Sequence, residues 1–305
     1  MNKDLKPSNV NFPLLFFIYV AVRRLLNIAW LRINKFLVSR DLLFDRKHKT
    51  FHKVLIIGDG FAEGVCDWVA AYNHSGVSKY LYKHVYEADN LRQTWAFVNR
   101  GRAGTISEDW IPDPEEPEEG EPNPKRLFEK MMDNSATNDA AVVVIIVGTM
   151  DVVRRKVRMP LSAMNKTGLP IIYEENDLCN TVKNIRKIAT AFRDQGKKVV
   201  ICDVMTSGAG LETHKGVIKR LNRQIKQVVT DTEGLKLVQL SDAVISRDMN
   251  RGFDGLHLNY KGYKIFAKKI FECIQGDLVA AEFNVWRPIF SSKKPEAYQD
   301  KTKHD

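Results

Sequence analysis

The chain has 305 residues, 44% hydrophobic and 28% charged, which is enough for one large α/β domain or two small ones. This composition excludes a wholly disordered chain and a polytopic membrane protein, and 11 Pro and 4 Cys exclude collagen-like and disulfide-dense secreted proteins. The formal net charge of +10 is unevenly placed, because residues 1–53 hold 11 Lys/Arg and 3 Asp/Glu while residues 54–305 carry about +2. Nucleic-acid association through the basic N-terminus is therefore a minority hypothesis.

Residues 1–52 are interpreted as a basic N-terminal extension. The apolar run Phe12–Val22 is 11 residues long, which is too short for a helix to cross a bilayer, and Arg23 and Arg24 follow it directly. A transmembrane helix is therefore not expected. A secretory signal is not expected either, because no small-residue cleavage site follows Val22.

The segment Leu25–Leu37 has the pattern of an amphipathic helix, with apolar residues on one face and basic and polar residues on the other. Such a helix suits the surface of an anionic membrane. It suits equally well docking on a partner subunit or on the domain itself, so residues 12–40 predict a contact with either a membrane surface or a partner. A third interpretation is a sequence that directs the protein to an organelle such as the mitochondrion. All three imply an intracellular protein.

From residue 53 to residue 275 short β-branched runs alternate with longer helical stretches, which predicts a three-layer α/β/α fold with a five-stranded parallel sheet of the flavodoxin-like kind. The predicted strands are Val54–Ile57, Ala96–Asn99, Ala141–Val147, Val199–Val204 and Lys236–Leu240. The predicted helices are Ala62–Tyr72, Lys125–Met132, Asp177–Gln195, Thr213–Val229 and Tyr260–Ile274.

Two further segments have a composition of their own. The acidic, Pro-rich stretch 111–124 predicts an exposed loop within this domain, and residues 276–305 predict a C-terminal tail. The four cysteines lie far apart beside apolar runs and form no CxxC pair, so they predict buried thiols. No metal site and no cofactor is predicted.

Polar and glycine-rich motifs follow the predicted strands, where parallel strands of an open sheet meet ligands. They are Gly58-Asp59-Gly60 after the first strand, Asn99 to Gly104 after the second, Gly148-Thr149-Met150-Asp151 after the third, and Asp254-Gly255-Leu256-His257 before the last helix. The four motifs therefore converge on one edge of the sheet.

In their order and spacing these motifs resemble those of the SGNH, or GDSL-like, hydrolase family of esterases and lipases, over about residues 53–274. The resemblance implies that His257 is the general base, that Asp254 orients it, and that Gly104 donates a backbone N–H to the oxyanion hole. Asp59 and Gly58 would be structural.

The sequence departs from the family at two positions. The nucleophile position falls on Gly60, which has no side chain and offers only its N–H to the oxyanion hole, and the oxyanion-hole asparagine falls on Met150, which has no comparable donor. Acyl transfer through a covalent intermediate needs an oxygen or sulfur nucleophile beside the imidazole, so that route is closed. Losing one oxyanion donor alone costs about 10²–10³ in rate.

Other interpretations of these residues remain open. Thr105, Ser107, Ser207 and Cys66 carry nucleophilic atoms, but none is expected to replace the missing serine. Asp254 or Asn259 would equally serve as a helix cap, and His257 would equally hydrogen-bond within a polar turn. Arginines near the same edge would favour an anionic ligand such as a phospholipid headgroup or remain solvated; they are Arg100, Arg102, Arg154 and Arg155.

The sequence thus predicts an SGNH-like domain that has lost esterase activity, a pseudoenzyme, and that acts as a membrane-associated binding or scaffold subunit. A lipid or ester-like ligand is expected in the vestigial cleft. The main alternative is a weak or unusual ester or lipid hydrolase that uses a water activated by His257. Such a route would retain at most the rate left after deletion of a triad member, about 10³–10⁴ over water.

Overall fold

The computed structural model describes most of the chain from residue 51 onward. The described ranges are 51–67, 76–112, 127–133, 135–158, 175–206, 211, 214–240, 250–252 and 255–292, together with Ile18, Val22, Leu25 and Leu26 of the N-terminal extension. The rest of residues 1–50, most of the acidic loop 111–124, Ser207, Asp254 and the end of the chain from residue 293 lie outside the described residues. The predictions made for those segments are not tested here.

Strands and helices alternate along the chain. The strands are β1 Phe51–Gly58, β2 Thr94–Asn99, β3 Val142–Ile146, β4 Lys198–Cys202 and β5 Leu235–Val238. The helices are α1 Gly60–Glu63, α2 Val77–Tyr86, α3 Leu127–Met132, α4 Ser135–Asn138, α5 Thr149–Arg158, α6 Glu175–Asp194, α7 Lys215–Asp231 and α8 Tyr260–Ser292, and a short 3-10 helix covers Ser107–Trp110.

The five strands form one sheet in the order β2-β1-β3-β4-β5, and all neighbouring strands run parallel. This is the strand order of the flavodoxin-like doubly wound fold, whose ligand crevice lies where the order reverses, between the carboxyl ends of β1 and β3. The predicted fold class is confirmed. The register pairs Gly58 with Ile146, so the first motif begins at the level of the sheet where β3 ends and the third motif follows.

The central strands β1, β3 and β4 bury both of their faces because alternate side chains enter two separate cores. Leu55, Ile57 and Val143 belong to the core beneath α6 and α7. Val54, Ile56 and Val144 belong to the opposite core, which α2 and α8 cover. This double burial explains why the strand sequences are apolar throughout rather than alternating.

The helix predicted over Ala62–Tyr72 is wrong. The helix α1 ends after four residues, because Gly64 adopts a left-handed conformation with φ of 85° and its N–H bonds back to the carbonyl of Gly60. A longer helix, α2, begins only at Val77 and was not predicted, although its buried residues Val77, Leu81 and Val85 have helical spacing. The chain therefore turns sharply immediately after the nucleophile position.

The predicted end of the last helix at Ile274 is also wrong, because α8 continues to Ser292. A helix of 33 residues spans about 50 Å at 1.5 Å per residue. Its continuation is held by Glu282, which is 7% exposed and accepts hydrogen bonds from the amides of Arg92 and Gln93 and from the indole of Trp95. The hydrophobic pattern of the sequence could not predict this contact, because it depends on a single buried glutamate.

Four residues of the N-terminal extension are described as helical, and all four are exposed apolar side chains: Ile18, Val22, Leu25 and Leu26. At 100° per residue they share one helix face. None of the helices in the described part of the chain combines the length and apolar character needed to cross a bilayer.

Candidate active site

The first motif leaves β1 through a glycine that the fold requires. Gly58 has φ of 138°, and a side chain there would overlap the backbone carbonyl of Ile146. The next amide, Asp59 N–H, donates to that same carbonyl at 3.0 Å. Gly58 therefore lets β1 and β3 approach closely at the switch point of the sheet.

Asp59 caps the short helix α1 and is buried at 1% exposure. Its Oδ1 accepts a hydrogen bond from Phe61 N–H at 3.0 Å. Burial raises the pKa of this carboxyl from 3.8 to about 7, helped by the nearby carboxylate of Asp151 and opposed by the amides of Phe61, Met150 and Thr149. Asp59 is thus a group that titrates near neutral pH, in addition to its predicted structural role.

The structure brings Gly60 and His257 into direct contact. A Cβ built on Gly60 would overlap Nε2 of His257 and would lie 3.1 Å from Cδ2 and 3.2 Å from Cε1. The histidine is fully buried, and its ring packs against the ring of Phe61 with centroids 4.7 Å apart. The imidazole therefore occupies the space that a nucleophile side chain at position 60 would need.

The loop after β2 is bound to the loop after β1 by polar contacts. Asn99 Nδ2 donates to the carbonyl of Ala62 at 2.7 Å, and Arg102 N–H donates to the carbonyl of Gly58 at 2.8 Å. The carboxylate of Glu63 accepts from the N–H of Ala103. Sequence reasoning missed Glu63 because its partner is a backbone amide 40 residues away.

The hydrogen bonds between these two loops position Gly104, the predicted oxyanion-hole donor. Gly104 has φ of 79°, and a Cβ built on it would meet no atom within 4 Å. The left-handed backbone favours glycine here, and the space beside it is open. Its role as an N–H donor stays a prediction.

The third motif buries the side chain of its methionine in a core. Met150 is 3% exposed and belongs to the apolar core beneath α6 and α7. The following residue, Asp151, is 8% exposed and accepts from Ser107 N–H at 2.9 Å, Ser107 Oγ at 2.5 Å and Thr181 Oγ1 at 3.2 Å. Asp151 thus ties α5 to the 3-10 helix and α6, a role that the motif alone did not indicate.

The alternative nucleophiles with described positions are engaged elsewhere. Thr105 Oγ1 donates to the carbonyl of Arg102 at 2.7 Å and accepts from the indole of Trp110 at 3.1 Å. Ser107 is fully buried in its bond to Asp151. Cys66 is 7% exposed and packs where a side chain on Gly252 would fall.

The last motif enters α8 through a capped turn. Asn259 Oδ1 accepts from the amides of Lys261 at 2.9 Å and Gly262 at 3.1 Å, so it is the N-cap of the helix. Gly252 N–H donates to the carbonyl of His257 at 2.7 Å. Asp254 lies outside the described residues, so its predicted pairing with His257 stays a prediction. Within the described ranges no cluster of His, Cys, Asp and Glu side chains could hold a metal ion.

Comparison with known proteins gives a family and a fold. Residues 56–265 match the GDSL-like Lipase/Acylhydrolase family. A search of curated proteins gave no match.

Several solved structures have the same fold as this chain. An acetyl xylan esterase from Geobacillus stearothermophilus is 15% identical with a TM-score of 0.51, and 74% of this chain aligns with 94% of it. TesA is also 15% identical with a TM-score of 0.51, over 74% of this chain and 99% of its own. A second acetyl xylan esterase, AlAXEase, is 19% identical with a TM-score of 0.50, over 72% and 98%.

Proposed function

This chain belongs to the GDSL-like lipase/acylhydrolase family, and we propose that within it the chain is a member that has lost nucleophilic ester hydrolysis and acts as a membrane-associated binding or scaffold subunit. One observation carries the loss of catalysis. Position 60 has no side chain, and the buried ring of His257 fills the space where a nucleophile would project.

The chemistry of the described residues supports this loss. A covalent acyl intermediate requires a hydroxyl or thiol within hydrogen-bond reach of the imidazole, and Gly60 has neither. Thr105 and Ser107 already bond to protein groups, and the side chain of Met150 lies in the core. With no side-chain donor at Met150, the amides of Gly60 and Gly104 would be left to polarise a carbonyl, which lowers the rate further.

The N-terminal extension supports the membrane-associated role. Leu25 is 67% exposed and Leu26 54% exposed on one helix face, and Arg23 and Arg24 precede them directly. A helix with an exposed apolar face and adjacent cations binds at the headgroup level of an anionic bilayer, where apolar burial and charge attraction add. The net charge of +8 in residues 1–53 favours the same surface.

The loss of catalysis is tested with p-nitrophenyl acetate and a fluorophosphonate probe. We expect no labelling of the wild-type protein and no turnover above that of the matched control, His84→Ala, which removes a half-buried histidine outside the site. Labelling, or turnover that His257→Ala abolishes, would show that the site is catalytic and would overturn the proposal.

The membrane role is tested by co-sedimentation with vesicles of phosphatidylcholine and phosphatidylserine. We expect the full-length protein to pellet and the double variant Leu25→Gln, Leu26→Gln to remain largely in the supernatant. Tyr86→Gln is the control, because Tyr86 is a 79% exposed aromatic residue on the domain itself. Equal pelleting of all three proteins, or of none, would contradict membrane association through the extension.

A second candidate function is slow ester hydrolysis by water. It is favoured by one observation, that the imidazole is retained and presents Nε2 to Gly60. A water hydrogen-bonded to Nε2 would give up a proton to His257 and attack the ester carbonyl directly. The C–O bond would then break and the imidazolium would return the proton to the leaving alkoxide, without an acyl intermediate. The two candidates separate in the same assay, because this route predicts turnover that His257→Ala abolishes but no covalent labelling by the probe.

A further inference from the structure

Three lysines and two tyrosines come together where α2 and α8 begin. We call Lys79, Tyr80, Tyr260, Lys261 and Lys264 the lysine–tyrosine cluster. The ammonium of Lys264 lies 5.9 Å from the ring centre of Tyr80 and 5.7 Å from that of Tyr260. Lys79 lies 5.2 Å from the ring of Tyr80, and Lys261 lies 5.9 Å from that of Tyr260. Each of the three lysine charges therefore lies within about 6 Å of the centre of at least one of the two rings.

The cluster lies at the same edge of the sheet as Gly60. In a parallel α/β fold each helix that follows a strand begins at the carboxyl edge, and α2 and α8 both cover the core that contains Val54 and Val144. Tyr260 comes three residues after His257, and Tyr263 OH donates at 2.9 Å to the carbonyl of Val65, beside the site. A ligand held by the cluster would thus lie on the rim of the candidate site.

The charges of the cluster are not balanced in the way that neighbouring lysines are. One turn further along each helix, Lys83 pairs with Glu87 at 3.6 Å and Lys268 pairs with Glu272 at 3.9 Å. Among the described residues no carboxylate forms an ion pair with the three cluster lysines. The neighbouring segment 68–75 contains no Asp or Glu.

The two tyrosine rings of the cluster differ in their exposure to solvent. Tyr80 is 6% exposed, and its hydroxyl bonds to Asp67, whose Oδ2 also accepts from Gly76 N–H at 2.9 Å. Burial, with the Asp67 carboxylate, raises the pKa of Tyr80 well above its ordinary value, so this hydroxyl keeps its proton. Tyr260 is 44% exposed, so its ring is open to solvent.

We propose that the lysine–tyrosine cluster binds a phosphate group. Each of the three ammonium groups lies within about 6 Å of the centre of at least one of the two rings, so a dianion bound beside the rings would be attracted by all three. Lysines bind phosphate as movable point charges. The phosphate has two sources, a free phosphate or small phosphomonoester and the headgroup of an anionic lipid.

The first arm of the test measures binding of inorganic phosphate to the full-length protein by isothermal titration calorimetry. The variant Lys261→Gln, Lys264→Gln removes two charges of the cluster. The control Lys219→Gln, Lys226→Gln removes two exposed charges from α7, on the opposite face of the sheet. We expect the first variant to weaken binding by about tenfold or more and the control by less than about twofold.

The second arm measures pelleting of the same proteins, each also carrying Leu25→Gln and Leu26→Gln so that the extension does not bind, with vesicles that contain phosphatidic acid. Saturable binding of inorganic phosphate that only the cluster variant loses assigns the site to a soluble phosphate group. Pelleting that only the cluster variant loses, without binding of free phosphate, assigns it to a lipid headgroup. If neither arm separates the cluster variant from the control, the proposal is overturned. This inference goes beyond the proposed function, because it holds whether or not the domain hydrolyses esters.

Discussion

The two edges of the sheet each bury a carboxylate, but in different surroundings. At the amino edge, Glu282 accepts N–H groups from Arg92 and Gln93, both at 3.0 Å, and from Trp95 at 2.8 Å. At the carboxyl edge, Asp59 accepts one hydrogen bond, from Phe61 at 3.0 Å, and its Oδ2 makes no hydrogen bond to a described residue, although the amides of Met150 and Thr149 lie near enough to lower its pKa.

The difference shows that the N–H donors around a buried carboxylate determine its role in the fold. Three N–H donors compensate the lost hydration of Glu282, so it can hold a long helix against the sheet. At Asp59 burial, with the carboxylate of Asp151 nearby, outweighs the amides of Phe61, Met150 and Thr149 and raises the pKa to about 7. The amino edge is therefore built as an anchor, and the carboxyl edge keeps a group that exchanges a proton near neutral pH.

The largest expected effect is the pH dependence set by Asp59. The folded state keeps a proton on Asp59 up to pH about 7, whereas the unfolded chain releases it near pH 3.8, so the stabilising contribution present at low pH is lost as the pH rises. We expect Asp59→Asn, which cannot ionise, to gain stability relative to wild type by about 4 kcal/mol between pH 4 and pH 8, as measured by urea denaturation.

The control for this prediction is Asp89→Asn, which changes an exposed aspartate. Its stability relative to wild type should be nearly constant over the same pH range. A difference between wild type and Asp59→Asn that does not change with pH would mean that Asp59 is ionised throughout. The contrast between the two edges would then be lost.

The next effect is the loss of the anchor at Glu282. Glu282→Ala leaves three N–H donors without their acceptor, and each buried unsatisfied donor costs about 1–3 kcal/mol. We expect a loss of about 3 kcal/mol in the free energy of unfolding, together with faster hydrogen exchange in the part of α8 beyond Gly276.

Two matched variants sharpen this prediction. Glu282→Gln keeps one acceptor oxygen and should lose clearly less stability than Glu282→Ala. Glu272→Ala removes an exposed partner of Lys268 from the same helix and should change stability by less than about 0.5 kcal/mol. If Glu282→Ala behaves like Glu272→Ala, the carboxylate is not an anchor, and the end of α8 is held by other contacts.

The sequence could predict the sheet because double burial leaves a signal in the central strands. Val54–Ile57 and Val142–Ile146 are apolar at all positions, which only a strand covered on both faces explains. The ends of the helices were predicted less well where a single residue determines where a helix stops. Gly64 ends α1 early, and Glu282 extends α8, and neither changes the hydrophobic pattern of its segment.

The site was predictable in its positions but not in its contacts. The motifs located Gly60, Gly104 and His257 because strand ends of a parallel sheet converge. They could not show that the ring of His257 lies against Gly60, since contact between residues 197 positions apart depends on packing. The roles of Glu63 and Asp151 escaped for the same reason, because their partners are distant backbone and hydroxyl groups.

The smallest effect concerns how tightly the carboxyl edge is closed. Gly60→Ala places a methyl group against the buried ring of His257, and we expect this overpacking to cost about 1–3 kcal/mol in urea denaturation. In a His257→Ala background the ring is absent, so the same methyl group should cost little, and the two changes should couple by about 1 kcal/mol or more.

The matched control is Gly276→Ala, an exposed helical glycine beside which a Cβ meets no atom within 4 Å, and it should gain about 0.5–1 kcal/mol in either background. A neutral Gly60→Ala would mean that the ring moves aside at little cost. Gly60→Ser with Met150→Asn would then have room for a nucleophile, and the carboxyl edge would be an intact esterase site lacking only two side chains. Strong coupling to His257 would instead mean that the site has repacked around the missing serine, so that restoring the hydroxyl alone cannot restore hydrolysis.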